Sequence, residues 1–174
     1  MTKVTELLSA EKIAERIDEM AKLMALEVDE EIMVVGLLKG AFTFTADLVR
    51  AMDKWGLKPQ VEFMRLSSYG NSKESSGEVL MSGGVPADIN GKHVLVVDDI
   101  LDTGRTLAFT KKIFREHGAK SVKSAILLDK PSRREVDVTA TYVGFEVPDL
   151  FVVGYGIDYA EKYRHLPYIG TVDL

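Results

Sequence analysis

Apolar positions along the chain fall into two rhythms. Ile13, Ile17, Met20 and Met24 recur at three- and four-residue intervals behind Ser9, a residue suited to capping a helix, and this spacing predicts an amphipathic helix. Phe44, Leu48, Met52 and Trp55 repeat the pattern, with Gly56 as the stop signal, and "TLAFTKKIFREHG" repeats it again, closed by Gly118. The other rhythm is the compact apolar run. "EIMVVGLLKG", ending near Lys39, and then "VEFMRLSS", "HVLVVDD", "SVKSAILLDK", "ATYVGFEV" and "LFVVGYGID" predict strands. Near-continuous apolarity is what strands covered on both faces require.

Strand and helix patterns alternate, so the expected fold is α/β: a mostly parallel twisted sheet flanked by helices. The length of 174 residues suits one domain spanning 1–174. "YGNSKESSGE" is polar, Gly/Ser-rich and without period, while "SRREV" and "EKYRHLPYIGTVDL" are the least regular stretches. In open parallel sheets ligands bind beyond the carboxyl ends of strands. Three polar clusters fall at such ends: Lys39-Gly40, Asp98 to Thr106, and Lys130.

Composition narrows the function classes. A formal net charge of −5, with no long run of like charge, argues against a broad nucleic-acid footprint. With no cysteine there is no disulfide framework, thiol nucleophile or Cys-ligated zinc. His93, His117 and His165 form no metal-ligand spacing. The N-terminus is charged and amphipathic rather than signal-like, and no apolar stretch approaches membrane-spanning length. The expectation is a cytoplasmic protein with no membrane or nucleic-acid partner.

The candidate chemistry sits in "VLVVDDILDTGRTL". Asp102, Thr103, Gly104, Arg105 and Thr106 lie between a strand and a helix, where backbone N–H groups and the helix dipole favour an anion. Gly104 permits close approach, and Thr103 and Thr106 add hydroxyl donors, which together make a phosphate cradle. Neither GxxxxGK[ST] nor GxGxxG is present, which excludes the two common nucleotide loops. Asp98 and Asp99 offer only acceptors, suited to neighbouring hydroxyls such as a ribose diol or to a hydrated Mg2+. A phosphate beside a diol describes a ribose 5-phosphate.

"VLVVDDILDTGRTL" resembles the phosphoribosyl pyrophosphate motif of type I phosphoribosyltransferases. "GLLKGAF", "LSSYGNSKESSGEV", "LLDKP" and "PDLFVVGYGIDYAEKYRHLPYIG" resemble, in order, further motifs of the hypoxanthine (guanine) branch of that family, from about Ile32 onward. The resemblance implies Mg-dependent transfer of a 5-phosphoribosyl group from phosphoribosyl pyrophosphate to a 6-oxopurine. It implies that Asp98 and Asp99 hold the ribose hydroxyls, that Asp102 through Thr106 hold the 5-phosphate, and that Asp102 is the general base at N7. Lys130 is implied to donate to the purine O6, Phe151 to stack on the ring, and the Val152 backbone to read the N1/C2 edge. Asp158 is implied near the purine and as a Mg2+ ligand alongside Asp98 and Asp99. Arg164 and the Leu38-Lys39-Gly40 backbone are implied to bind pyrophosphate, with a Leu38-Lys39 peptide that is often cis in this family. Ser68 and Tyr69 would belong to a flexible lid over about 68–78, and residues from about 150 to 174 would form most of a base-binding hood. A homo-oligomer, dimer or tetramer, is also implied. One departure is Ala41, where many relatives have a second glycine, which limits backbone freedom in the first loop.

Two other readings compete. "LVVDD" also resembles the acidic pair of a signalling receiver domain, but that pair belongs near an N-terminus and a phosphoacceptor should follow on a later strand. A regulatory, non-catalytic member of the same fold would bind nucleotide without turnover; the presence of Asp102 argues against it.

Overall fold

The computed structural model describes residues 3–28, 31–68 and 78–173. Its elements are β1 (Val4–Leu8), α1 (Ala10–Met24), β2 (Met33–Leu38), α2 (Phe42–Lys54), β3 (Gln60–Ser68), β4 (Val79–Ser82), β5 (His93–Leu101), α3 (Arg105–Glu116), β6 (Ser121–Asp129), a single 3-10 turn (Pro131–Arg133), β7 (Tyr142–Glu146), β8 (Val152–Val153) and β9 (Ile169–Val172). Ser9 caps α1 as its spacing predicts, its hydroxyl accepting from Lys12 N–H at 3.2 Å.

The main sheet has six strands in the order β4-β3-β2-β5-β6-β7, parallel except where β4 runs antiparallel to β3. Alternation along its central strands divides the core. Val34, Leu95 and Val97 pack with Ile13, Ile17, Phe44 and Leu48 under α1 and α2. Met33, Val35, Val94 and Val96 pack with Leu107 and Phe114 of α3 on the other face. Arg16 ties α1 to the sheet by donating to the Val143 and Gly144 carbonyls at 2.7 and 2.8 Å.

The chain steps from β2 outward to β3 and then returns to lay β5 on the other side of β2. This reversal leaves a crevice beyond the carboxyl ends of β2 and β5, the position where such sheets take ligands. A second, three-stranded sheet, β1-β9-β8, is antiparallel and joins the two ends of the chain, Val4 pairing with Val172.

"LFVVGYGID" is not the long strand that its apolar content predicts. Only Val152–Val153 is strand, because Gly154, Tyr155 and Gly156 all take positive φ and turn the chain away. The turned segment is held by Tyr155 N–H on the Leu166 carbonyl and Gly156 N–H on the Arg164 carbonyl. β1, β4 and β9 are strands that the apolar rhythm did not indicate.

Candidate active site

A cavity of about 630 Å3 occupies the crevice. Leu38 and Gly40 line it from β2 and the following loop, Asp98, Asp99, Asp102 and Thr106 from β5 and the start of α3. Lys130 enters from the end of β6, and Phe151, Val152 and Asp158 close the far side. Residues that lie far apart in sequence thus converge because three parallel strands end at one level.

Each wall has a local reason for its shape. Leu38-Lys39 is a cis peptide, and Gly40 follows it with no room for a side chain: a Cβ there would overlap the Asp99 carboxylate. Ala41 is fully buried at φ −88°, ψ 6°, a conformation open to any L-residue, so the expected limit on this loop does not arise. Gly104 precedes α3 at φ 87°, and a Cβ on it would come within 2.6 Å of Val138. Asp102 Oδ1 accepts from Thr103 N–H at 2.6 Å. Arg105 turns its guanidinium to Glu135, at 2.6 and 2.9 Å, so only its backbone faces the cradle.

Lys130 is buried and donates from Nζ to the Leu150 carbonyl at 2.6 Å, linking β6 to the segment carrying Phe151. Phe151 is half-exposed, its ring edge-on to Tyr159 with centroids 5.3 Å apart. Arg164 donates to the Gly156 carbonyl at 2.8 Å and pairs with Asp158 at 3.0 Å.

This arrangement has close counterparts. The family model described as phosphoribosyl transferase domain matches residues 3–160. The chain belongs to this family. It is 46% identical over 167 residues to the hypoxanthine-guanine phosphoribosyltransferase of Bacillus subtilis, covering 95% of this chain and 91% of that protein. It is 47% identical over 173 residues to the enzyme of the same name from Aquifex aeolicus, covering 98% of this chain and 96% of that one. The crystal structure of a hypoxanthine-guanine phosphoribosyltransferase from Bacillus anthracis superposes with a TM-score of 0.88 at 46% identity, over 99% of this chain and all of that one. The receiver-domain reading is excluded.

Within this phosphoribosyl transferase domain the sequence-assigned residues are not all on the cavity wall. Lys39 turns its ammonium to Glu161, and Arg164 lines a neighbouring cavity of about 520 Å3 near Asp47 and Tyr155. Thr103, Gly104 and Arg105 shape the turn behind Asp102. Tyr69 and the rest of the expected lid to residue 77 lie outside the described residues, and Ser68 is the last residue of β3. Conversely, Leu66, Ile100, Arg133, Asp149 and Ile157 line the cavity and were not singled out from the sequence. Arg134 is the larger omission: it donates to the Leu101 and Asp102 carbonyls and pairs with Asp129, bracing the strand end that carries the acids.

Burial holds the Asp98 carboxyl well above the ordinary carboxylate range, and the adjacent Asp99 charge raises it further. Burial raises Asp99 as well, while hydrogen bonds with the Asp98 side chain and the Ile100 N–H, and less strongly the Arg164 guanidinium, pull it down. Among the described residues no three His, Cys, Asp or Glu side chains converge to hold a metal ion by themselves. Two crowded carboxylates still suit a divalent cation whose other ligands come from substrate and water.

The crowding has a cost with a definite sign. A carboxyl whose pKa is raised on folding makes the folded state less stable as pH climbs from the unfolded value, about 3.9, toward the folded one, and the loss persists above it. Asp98→Asn should therefore raise the melting temperature of ligand-free protein at neutral pH, by about 2–4 °C for each kcal/mol relieved. The gain should shrink as pH falls toward 4. Melting curves in chelator at several pH values test this; no gain at pH 7 would show that the acids are not strained.

Proposed function

We propose that this phosphoribosyl transferase domain is a purine-salvage enzyme, a Mg-dependent hypoxanthine (guanine) phosphoribosyltransferase. It transfers the 5-phosphoribosyl group from phosphoribosyl pyrophosphate to hypoxanthine or guanine, giving IMP or GMP and pyrophosphate. The observation that carries this reading is the convergence in one cavity of the acids and helix start after β5, the buried Lys130 ammonium and the Phe151 ring. Relatives aligned over nearly their whole length bear the name of this activity.

In this reading Asp98 and Asp99 accept from the ribose hydroxyls. The 5-phosphate sits on backbone N–H groups at the start of α3, with Thr103 and Thr106 hydroxyls beside it and Gly104 allowing close approach. Arg105 contributes its backbone N–H, since its side chain is committed to Glu135. An ammonium has three donors; one Lys130 donor is on Leu150, leaving others for the purine O6. Phe151 stacks on the base, and the Val152 backbone faces its N1/C2 edge. The stretch from Val152 to Asp158 sets the choice among hypoxanthine, guanine and xanthine at the purine 2-position. Pyrophosphate lies on the Leu38-Lys39-Gly40 backbone and Arg164. Mg2+ would be held with substrate oxygens by Asp98 and Asp99 at the ribose end and by Asp158 at the pyrophosphate end, and would supply charge neutralisation for the leaving pyrophosphate.

The reaction breaks the bond from the anomeric carbon to the pyrophosphate oxygen, which keeps the electron pair, and forms a carbon–nitrogen bond to the purine. Charge develops at the anomeric carbon as in glycoside hydrolysis. Asp102 takes the proton from purine N7.

The test is nucleotide formation from phosphoribosyl pyrophosphate with hypoxanthine, guanine, xanthine or adenine in turn, with and without chelator. Rapid turnover of a 6-oxopurine, lost in chelator, is expected. Binding of phosphoribosyl pyrophosphate without turnover on any base would move the assignment to the regulatory reading.

Among the described residues no helix is long and apolar enough to cross a membrane. A cytoplasmic homo-oligomer, dimer or tetramer, completes the proposal; exposed Val61 and Phe63 on β3 favour a covered face, and solution mass measurement decides it.

A further inference from the structure

Phe151 has a fixed backbone and a loosely held ring. Its carbonyl accepts from Val172 N–H at 3.1 Å, and the next residue, Val152, pairs with Thr171 of β9. The side chain belongs to neither core cluster and is 44% exposed, although it lines the cavity. Among the described residues its one aromatic contact is Tyr159, with ring centroids 5.3 Å apart and planes at 83°. Tyr159 is not on the cavity wall, so it reaches Phe151 from outside the space assigned to substrate.

The chain follows a strained path to put Tyr159 there. Tyr159 N–H donates to the Lys162 carbonyl at 3.1 Å and Lys162 N–H returns to the Tyr159 carbonyl at 3.0 Å, closing a two-residue turn. Its central residues, Ala160 and Glu161, have φ of 50° and 61°, the left-handed region that favours glycine. The turn is tied down by Glu161 N–H on Asp158 Oδ2 at 2.8 Å and by the Asp158–Arg164 pair at 3.0 Å. A strained turn held this firmly makes Tyr159 a fixed point against which another ring can be set.

We propose that Tyr159 is a positioning residue for base binding: it sets the angle of the Phe151 ring and, through that ring alone, governs affinity for the purine and for the nucleotide product. The inference rests on the reading that Phe151 stacks on the purine.

The physical logic is that of preorganisation. A half-exposed phenylalanine samples several rotamers when nothing holds it, and freezing it as a ligand binds costs affinity. The edge-to-face arrangement is a preferred geometry of an aromatic pair, the positive ring edge meeting the negative face. Tyr159 therefore selects one orientation of Phe151 before the base arrives. A stacking platform meets the π-face of the base and reads none of its substituents, so the brace serves hypoxanthine and guanine alike.

The test compares ligands that carry a base with one that does not. Tyr159→Leu keeps an apolar side chain and removes the ring, whereas Tyr159→Phe keeps the ring. By calorimetry in Mg2+, the Kd of IMP should rise about 2- to 10-fold in Tyr159→Leu, the scale of one aromatic pair, and that of GMP by the same factor. Tyr159→Phe should bind both as the parent does. Phosphoribosyl pyrophosphate, which has no base, should keep its Kd in both variants, an outcome that general damage to the loop would not give. In a Phe151→Leu background, adding Tyr159→Leu should weaken IMP no further. Parental IMP affinity in Tyr159→Leu, an equal loss for phosphoribosyl pyrophosphate, a loss confined to one nucleotide, or the same loss in the Phe151→Leu background overturns the brace and leaves the stacking reading standing. If Phe151→Leu itself binds IMP and GMP as the parent does, the stacking reading fails, and the inference with it.

Discussion

Replacing Asp102 by alanine should slow nucleotide formation by about 100- to 10,000-fold, the usual worth of a positioned general base. In the proposed reading this carboxylate has two separable duties. Its Oδ1 accepts the Thr103 N–H at 2.6 Å and so helps form the turn, and Asp102 also lines the cavity, so the reading leaves Oδ2 to take the N7 proton. Alanine removes both duties, whereas asparagine keeps an oxygen for Thr103 N–H and removes only the base. If Asp102 acts as base, the two variants lose similar amounts of kcat, and the KM for phosphoribosyl pyrophosphate changes little in Asp102→Asn. An asparagine variant with nearly parental kcat would mean that Asp102 shapes the cradle and another group takes the proton. Steady-state kinetics from pH 5 to 9 separate these outcomes.

How far the sequence revealed this site depended on whether the information was local. β5 was readable because "HVLVVDD" is a strand buried on both faces, and its end had to carry the acids into the crevice. α1 and α2 followed from the spacing of Ile13, Ile17, Met20 and of Phe44, Leu48, Met52, the residues that do fill the core. β1 and β9 were not readable, since each is stabilised by a partner more than 160 positions away, Val4 with Val172, and five or four residues carry too little period to stand out. β4 is equally short and borders the polar stretch that obscured it. "LFVVGYGID" misled in the opposite sense: its apolar content is real, but the burial comes from a turned segment packed on the core, and Gly154 and Gly156 were the available warning. Arg133 on the cavity wall and Arg134 behind it were missed for a related reason. Arg133 and Arg134 sit in "SRREV", a stretch with no rhythm, and only the folded chain shows that one faces Asp149 across the cavity edge and the other reaches back to β5.

Arg134→Met should lower stability by about 2–3 kcal/mol, somewhat less than the 3–5 kcal/mol typical when a fully buried pair is broken. The discount follows from residual exposure, 19% at Arg134 and 16% at Asp129. The corresponding fall in melting temperature is about 4–12 °C. Methionine fills much of the same volume, so the loss comes from the acceptors that lose the guanidinium: the Asp102 carbonyl and the Asp129 carboxylate, with the Leu101 carbonyl still accepting from the Lys130 N–H. The two carbonyls belong to the strand end that presents Asp102, and Thr103 O is held from the same side by the Glu135 and Val136 N–H groups. Loosening that end should raise the KM for phosphoribosyl pyrophosphate as well as lower kcat. Lysine at this position restores charge toward Asp129 but not the planar fork that spans three acceptors, so Arg134→Lys should regain part of the stability and little of the activity. Adding Asp129→Leu to Arg134→Met removes the stranded carboxylate and should recover stability while leaving catalysis impaired, because the Asp102 carbonyl is still unbraced. Thermal melts and kinetics on the three variants decide the point. A double variant that regains both stability and activity would show that Arg134 serves only to neutralise Asp129, and that the turn carrying Asp102 holds its shape without it.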